Sequence, residues 1–300
     1  MATMKTSGVG VSILINNFNN ARYLVACVDS ALAQTRPADE VIVYDDGSTD
    51  GSVERLRSYG ARIRLIEGVH DAARPSRASQ ANAVWRAFER SSGEWLCLLD
   101  GDDLFAPDKV ERVLAAVAGR RDVAMVQSSV RLVDEQGREI GRYRDRRFHQ
   151  PQLRAAMYEQ NDVDFFYPTS AMVVHRAALA RVLPLDLRVC PELACDTRIG
   201  MLMPLLGEVI TLDEDLACWR RHPGSYISVL GRSRWFKAEQ TIRRVRTFNA
   251  SAGQYGAGPL SLWRNRRFRR QVVGALLPDV VRRRLRKTGT IFHGEPLHAG

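Results

Sequence analysis

Apolar residues along this chain fall into two alternating rhythms. Short runs of strand length stand at Val11-Ser12-Ile13-Leu14-Ile15, Glu40-Val41-Ile42-Val43-Tyr44, Ile63-Arg64-Leu65-Ile66 and Trp95-Leu96-Cys97-Leu98-Leu99. Between them the spacing lengthens to that of a helix. Leu24, Cys27, Val28 and Ala31 form one apolar stripe, and Ala81, Val84, Trp85 and Phe88 form another on a helix expected over 79–90. A further helix is expected to end at Tyr59-Gly60, and Pro107 suits the first position of one carrying Val110, Val113, Leu114 and Val117. Strand and helix alternate throughout this half. The expectation is an α/β, doubly wound unit whose largely parallel strands are buried on both faces.

Farther on the pattern changes. Val123 to Val133 and Glu139 to Tyr143 read as strands meeting at the turn Asp134-Glu135-Gln136-Gly137. A strand is expected at Ala171 to His175, a short helix at Arg176 to Val182, and a longer helix at Cys195 to Leu206. Glu208-Val209-Ile210-Thr211 reads as an edge strand, Trp219 to Ser225 as a polar loop, and 233–248 as a helix closing the body.

Candidate chemistry gathers where the strands stop. The fourth strand runs into Asp100-Gly101-Asp102-Asp103, three carboxylates in four positions. Such crowding repels unless hydrogen bonds or a cation compensate it, so a divalent metal is the economical explanation; a solvated turn capping the next helix is the plainer one. Gly101 leaves the turn bare for a bulky ligand. The second strand runs into Asp45-Asp46-Gly47-Ser48-Thr49-Asp50, which mixes turn formers with helix-start residues, and Asp50 reads as an N-cap. The first ends in Asn16-Asn17-Phe18-Asn19-Asn20. Ligands of open α/β sheets bind beyond the carboxyl ends of the strands, where all three clusters would lie.

Composition narrows the setting. At 300 residues and 45% apolar content the chain can bury one large domain, or one domain with an appendage. No apolar run is long enough to span a bilayer, and Met1 to Gly10 lacks the apolar centre of a signal peptide. The five cysteines include no Cys-x-x-Cys pair, so they read as reduced thiols of a cytoplasmic protein. The net charge of +10 is localised: between Ser261 and Thr290 ten basic residues face the single acid Asp279.

Taken in order, these motifs resemble the family 2 glycosyltransferases, inverting enzymes of the GT-A fold. The resemblance runs from Val11 to Ser228. It rests on the first strand with Phe18-Asn19, on Tyr44 to Asp50, on Leu98 to Asp103, on Cys195-Asp196 and on Trp219-Arg220-Arg221-His222. It implies a doubly wound, Rossmann-like mixed sheet: a flexible N-terminus (1–10), a nucleotide-binding half (11–120), an acceptor half (121–230) and a helical Arg-rich extension (231–300). It also implies metal-dependent transfer of a sugar from a nucleotide diphosphate, with UDP expected, to an acceptor hydroxyl in polysaccharide or glycoconjugate synthesis.

Residue by residue, the resemblance implies that Asp45, with Asp46 beside it, accepts the N–H of a uracil ring. Phe18 either stacks on the base or belongs to the core, next to Asn19. Asn82 and Gly101 line the donor site, and Asp100 points toward ribose and phosphate. Asp102 would hold Mn²⁺ or Mg²⁺ against the diphosphate, with Asp103 either supporting it or starting the next helix. Asp196 would be the general base, buried by the apolar run after it. In the Arg220-Arg221-His222 loop, Arg221 suits a phosphate and His222 a metal or phosphate contact. Three departures stand out: Asn16-Asn17 replace Pro-Thr or Pro-Val, Ala81 replaces Arg, and Cys195 replaces the Glu of an acidic pair.

The basic tail interleaves arginines with Trp263, Phe268, Val272, Val273, Leu276 and Leu277. It reads either as a helix packed on the domain or as peripheral contact of 261–290 with an anionic membrane, where a lipid-linked rather than a simple carbohydrate acceptor would lie. No nucleic-acid motif accompanies the charge. The alternative to an enzyme is a sugar-nucleotide-binding or scaffold protein that keeps the fold without turnover. A nucleotidylyltransferase would need a Gly-rich loop with Arg and Lys after the first strand, and 16–20 offers none.

Overall fold

The structure is a computed structural model and describes residues 10–223 and 234–276. Its frame is a sheet of nine strands among the described residues. The strands are β1 (Val11–Asn17), β2 (Glu40–Asp45), β3 (Arg64–Glu67), β4 (Trp95–Asp100), β5 (Leu104–Phe105), β6 (Val123–Val133), β7 (Glu139–Tyr143), β8 (Met172–His175) and β9 (Glu208–Arg220). Their order is β3-β2-β1-β4-β8-β6-β9-β5, with β7 paired to β6. The first four strands are parallel, and β8 runs against both β4 and β6.

From β1 the chain winds outward through β2 to β3, then returns to place β4 on the other side of β1. That reversal opens a crevice at the strand ends. The register aligns the ends, with Asn17 opposite Asp45 and Asn16 opposite Asp100. The helices α1 (Ala21–Leu32), α2 (Ser52–Arg57), α3 (Ser76–Glu89) and α4 (Lys109–Val117) cover the parallel part. Ile13, Ile15, Ile42, Val43, Leu96 and Leu98 are inaccessible to solvent, as expected of strands covered on both faces.

Several expectations need correction. The strand expected to end at Thr211 continues to Arg220 and lies inside the sheet, parallel to β6 and antiparallel to β5. The acidic run Asp213-Glu214-Asp215 interrupts its apolar residues and hides the strand pattern, but the neighbouring β6 supplies the pairing. Trp219 and Arg220 are therefore strand residues rather than loop, and Gly224-Ser225 lie outside the described residues. Helix α3 starts three residues before Ser79, and α5 (Leu153–Gln160) carried no clear periodic signal. Gly51 holds the N-cap position of α2, but Asp50 still serves that helix start, its Oδ1 accepting from the Ser52 amide (3.1 Å) and hydroxyl (2.6 Å), while its Oδ2 accepts from the Ala21 amide at 2.8 Å and so caps α1 from across the loop.

The later helices are α6 (Arg176–Val182), α7 (Cys195–Leu206), α8 (Arg234–Ala252) and α9 (Arg266–Leu276). Val245, Phe248 and Ala252 of α8 join the same core as the sheet. No helix among the described residues is long and apolar enough to cross a membrane.

One buried cation braces the strand ends. Lys109, at the start of α4, is inaccessible; its Nζ donates to the Ser170 carbonyl at 2.9 Å and lies 4.5 Å from the Phe105 ring centre. Burial lowers its pKa from 10.5 to about 8. The folded state therefore holds this proton less tightly than the unfolded chain, so stability rises with pH between these two values. In Lys109→Met the penalty is absent. The free-energy difference between variant and wild type should accordingly shift by about 3 kcal/mol in favour of the wild type as pH climbs through that window. Denaturant titrations of both proteins across the window check it, and a pH-independent difference would show that Lys109 keeps its ordinary pKa.

Candidate functional site

Three strand ends and the two loops that follow them build the floor of the crevice. Asp45 is inaccessible, with Oδ1 accepting from the Ser48 amide (2.7 Å) and Oδ2 from Asn17 Nδ2 (2.7 Å) and the Ser48 hydroxyl (2.8 Å). Both oxygens are engaged within the protein, so here Asp45 organises the loop. Asp46 is equally buried but differently served. Its Oδ2 lies 2.9 Å from His70 Nδ1, while Oδ1 is buried without a protein partner. A buried carboxylate oxygen left without a donor is costly, and a ligand N–H would relieve it.

Phe18 is 39% exposed and stacks on His70, with ring centroids 4.0 Å apart and planes 14° from parallel. The rings make a flat wall beside Asp46. Asn19 sits at φ 53°, its amide donating to Ser48 Oγ and its Oδ1 accepting from the Thr49 amide, both at 2.8 Å. It laces the two loops together. Gly47 is held in the left-handed region at φ 77°, and a Cβ there would lie 2.7 Å from the His70 amide nitrogen. The segment carrying His70 is therefore packed directly on the Asp46-Gly47 turn.

The acidic turn lies on the other side of β1. Asp100 Oδ1 accepts from Asn16 Nδ2 (2.7 Å) and from Gln80 Nε2 on α3 (2.9 Å). Its pKa is pushed up to about 6, first by burial and then by the charge of Asp102, while the two amides pull the other way. Gly101 cannot carry a side chain, since a Cβ would lie 2.7 Å from Asn17 Oδ1 and 3.1 Å from the Asn16 carbonyl. Asp102 meets His222 across the crevice, Oδ2 to Nε2 at 2.9 Å. Asp103 turns inward, accepting from the Ser170 hydroxyl (2.6 Å) and the Arg220 amide (2.8 Å), and burial holds its pKa well above the usual carboxylate range. It supports the turn from beneath.

Arg220, in the stretch expected to form a polar loop, is instead turned inward. It is buried, with Nε donating to the Asp102 carbonyl (2.7 Å) and Nη1 to the carbonyls of Asp134 (3.0 Å) and Glu135 (3.2 Å). Because it is a residue of β9, it clamps the acidic turn to the β6–β7 hairpin. Arg221 lies outside that clamp, its guanidinium 4.8 Å from the Trp219 ring centre. Asn82 donates to the Tyr44 hydroxyl at 3.3 Å and so stands one residue back from the crevice.

Asp196 occupies the first turn of α7. It is half-buried rather than enclosed, and its Oδ1 is held by the amide (2.5 Å) and hydroxyl (3.2 Å) of Thr197. Its charge adds, as a minor cause, to those that raise the Asp100 pKa, so the two carboxylates lie within electrostatic reach of each other. Cys195 is inaccessible, and burial followed by the charges of Asp196 and Asp100 drives its thiol pKa far up. A permanently protonated thiol leaves Asp196 as the sole carboxylate of that pair. The extension reaches the same neighbourhood. Arg244 of α8 pairs with Asp164 at 2.9 Å, and the Asp196 charge is among those acting on it.

The structure thus brings together Phe18, Asn19, Asp45, Asp46, Asp100, Gly101, Asp102 and His222 at one end of the crevice, with Asp196 within electrostatic reach of Asp100. Motif reading missed His70, Gln80, Ser170 and Arg244. Asn16 and Asn17 entered it only as departures, although unpaired carboxylates beside them called for donors. His70 belongs to no motif, and nothing in the sequence marks it.

Comparison with known proteins agrees with this fold. The profile of glycosyl transferase family 2 matches residues 12–183. An uncharacterized glycosyltransferase of Nostoc sp. is 30% identical over 216 residues, covering 71% of this chain and 65% of that protein. Chondroitin synthase of Pasteurella multocida is 34% identical over 151 residues, 49% of this chain and 15% of that protein. The chain therefore spans less than two thirds of the length of these relatives. Among solved structures, TarS 1-349 of S. aureus with UDP-GlcNAc gives a TM-score of 0.57 at 15% identity, covering 88% of this chain and 73% of that one. Mannosyltransferase PcManGT of Pyrobaculum calidifontis, with GDP-Man and Mn²⁺, gives 0.55 at 18% identity, covering 94% and 79%. Likeness at such identity concerns the fold alone, and that fold is GT-A. By a family profile that covers more than half of its length, the chain belongs to glycosyl transferase family 2.

Proposed function

We propose that this transferase is inverting and metal-dependent, and that it moves one sugar from a nucleotide diphosphate, with UDP expected, to an acceptor hydroxyl. Its setting would be cytoplasmic polysaccharide or glycoconjugate synthesis, on a carbohydrate or lipid-linked acceptor. The observation that carries this reading is the pairing of Asp102 with His222 beside Asp100, a carboxylate that also feels the charge of Asp196.

The donor set suits Mn²⁺ or Mg²⁺. Asp102 offers an oxygen and His222 a nitrogen, while no three His, Cys, Asp or Glu side chains converge on a metal position among the described residues. A site of two protein ligands is the kind that diphosphate oxygens and water complete. Neighbours holding Mn²⁺ beside GDP-Man or UDP support it. When bound, the metal would neutralise charge developing on the departing diphosphate.

The chain's own residues do the remainder. Asp46 Oδ1 accepts a base N–H, and Phe18 with His70 walls the base. Asp100, fixed by Asn16 and Gln80, directs its other oxygen toward the ribose and phosphate side. Asp196, with Oδ1 held by Thr197, takes the acceptor's proton on Oδ2. The acceptor oxygen then bonds to the anomeric carbon as the bond from that carbon to the diphosphate oxygen breaks on the opposite face, which inverts the centre.

Calorimetric titration of UDP, GDP and dTDP, with and without Mn²⁺, tests the donor reading. One nucleotide should bind in a metal-dependent way; binding by none would return the chain to the scaffold alternative. Asp102→Asn should weaken the metal-dependent part of that affinity. Asp196→Asn should leave it unchanged while turnover falls by about 10²–10⁴-fold, the usual share of a general base. Retained turnover would remove Asp196 from that role. His70→Ala should weaken the nucleotide about tenfold both with and without Mn²⁺, from the lost stack and the released Asp46 carboxylate. Unaltered affinity would place the base elsewhere.

A further inference from the structure

Helix α9 is docked by the side that the sequence would have turned toward a membrane. Phe268 is 6% exposed and Asn265 is inaccessible, Arg267 pairs with Asp164, and Gln271 meets Thr241 of α8 at 2.9 Å. The orientation of the helix is therefore fixed by its inward face. Its outward face carries Arg266, Arg269, Arg270, Val273 and Leu276, with Val273 55% and Leu276 67% exposed. Trp263, just ahead of the helix, is 75% exposed beside the exposed Arg264.

We propose that this outward face, with Trp263 and Arg264, is a docking surface for an anionic lipid bilayer. Two observations point to lipid. No acidic residue occurs between Glu239 and Asp279, so the cations of the face have no acid neighbour in sequence. Aliphatic and indole side chains also stand exposed among those cations. Phosphates alone would draw the arginines, but Val273, Leu276 and Trp263 gain only by leaving water at an interface. Contact of this kind is shallow and electrostatic, since the larger apolar side of the helix is already spent on α8 and the body. It corrects the picture in which Phe268 and Val272 rest on the membrane. The part of 261–290 beyond Leu276 lies outside the described residues.

The inference goes beyond the transfer reading and stands apart from it, because lipid binding is read without donor, acceptor or turnover. The test is co-sedimentation of the full chain with vesicles of phosphatidylcholine alone and of phosphatidylcholine with phosphatidylglycerol. Binding should appear only with the anionic lipid and fall as salt is raised. The triple variant Arg266→Glu, Arg269→Glu, Arg270→Glu should bind about 100-fold more weakly, as expected for three basic contacts reversed. Trp263→Ser with Val273→Ser should lose the part of the binding that survives raised salt. Circular dichroism and nucleotide titration of each variant should match wild type, which separates loss of docking from loss of fold or of the donor site. Equal binding to both vesicles, wild-type binding by the triple variant, or preference for single-stranded nucleic acid over anionic vesicles would each overturn the proposal.

Discussion

Five carboxylates crowd the ends of two neighbouring turns, and neutralising them is the constraint from which the rest of the structure follows. Asp45, Asp46, Asp100, Asp102 and Asp103 all lie at the carboxyl edge of the sheet. Asp45, Asp46 and Asp103 are buried beyond the reach of bulk water and need a fixed donor or a cation, while Asp100 and Asp102 stay partly open. Asp45 is satisfied by Asn17 and Ser48, and Asp103 by Ser170 and the Arg220 amide. Asp46, Asp100 and Asp102 are only half satisfied. The protein thus divides its acids into those that hold shape and those left with capacity for a ligand. That division, more than the number of acids, is what makes the crevice a site.

The same constraint explains why distant elements converge there. The irregular β9 bends past the register shifts of β6 to bring Arg220 under Asp102, and its continuation carries His222 to the opposite side. Ser170, in a one-turn helix just before β8, touches Asp103, the Asp100 amide and Lys109 at once. α7 presents Asp196 because a bare Gly200 lets it close on Phe166, where a Cβ would come within 2.4 Å. Arg244 and Arg267 then tie the appended helices to Asp164 in the segment that leads to Phe166. Val245, Phe248 and Ala252 of the extension belong to the same core as the sheet, so cutting at 231 would expose Val245 and Phe248.

What the sequence disclosed follows from where local rules dominate. The parallel half was legible because buried strands and amphipathic helices each carry one unmixed period, and the acidic turns stand at their ends. The second half was less so. β9 alternates charged and apolar residues that partner different elements, so only its first four residues looked like a strand. Arg220 was read as part of a polar loop because its neighbours are polar in sequence, whereas its burial is set by β6 and by the Asp134–Glu135 turn. His70 could not be read at all. Its position is fixed by the approach of the loop after β3 to Gly47, a tertiary contact with no local signature.

The departures from the family pattern acquire a physical sense in this setting. Proline in place of Asn16 could not donate to Asp100, and a Thr or Val in place of Asn17 would not supply the amide that Asp45 accepts. The asparagines therefore add donors to two acids of the crevice. Gln80, next to Ala81, does likewise for Asp100 from the adjacent helix. Cys195 removes a charge beside Asp196, and its burial keeps it neutral. A chain drifting away from turnover has no need to preserve compensation of this kind. The substitutions at 16 and 17 supply hydrogen bonds to acids and that at 195 withdraws a charge beside one, while Ala81 does neither.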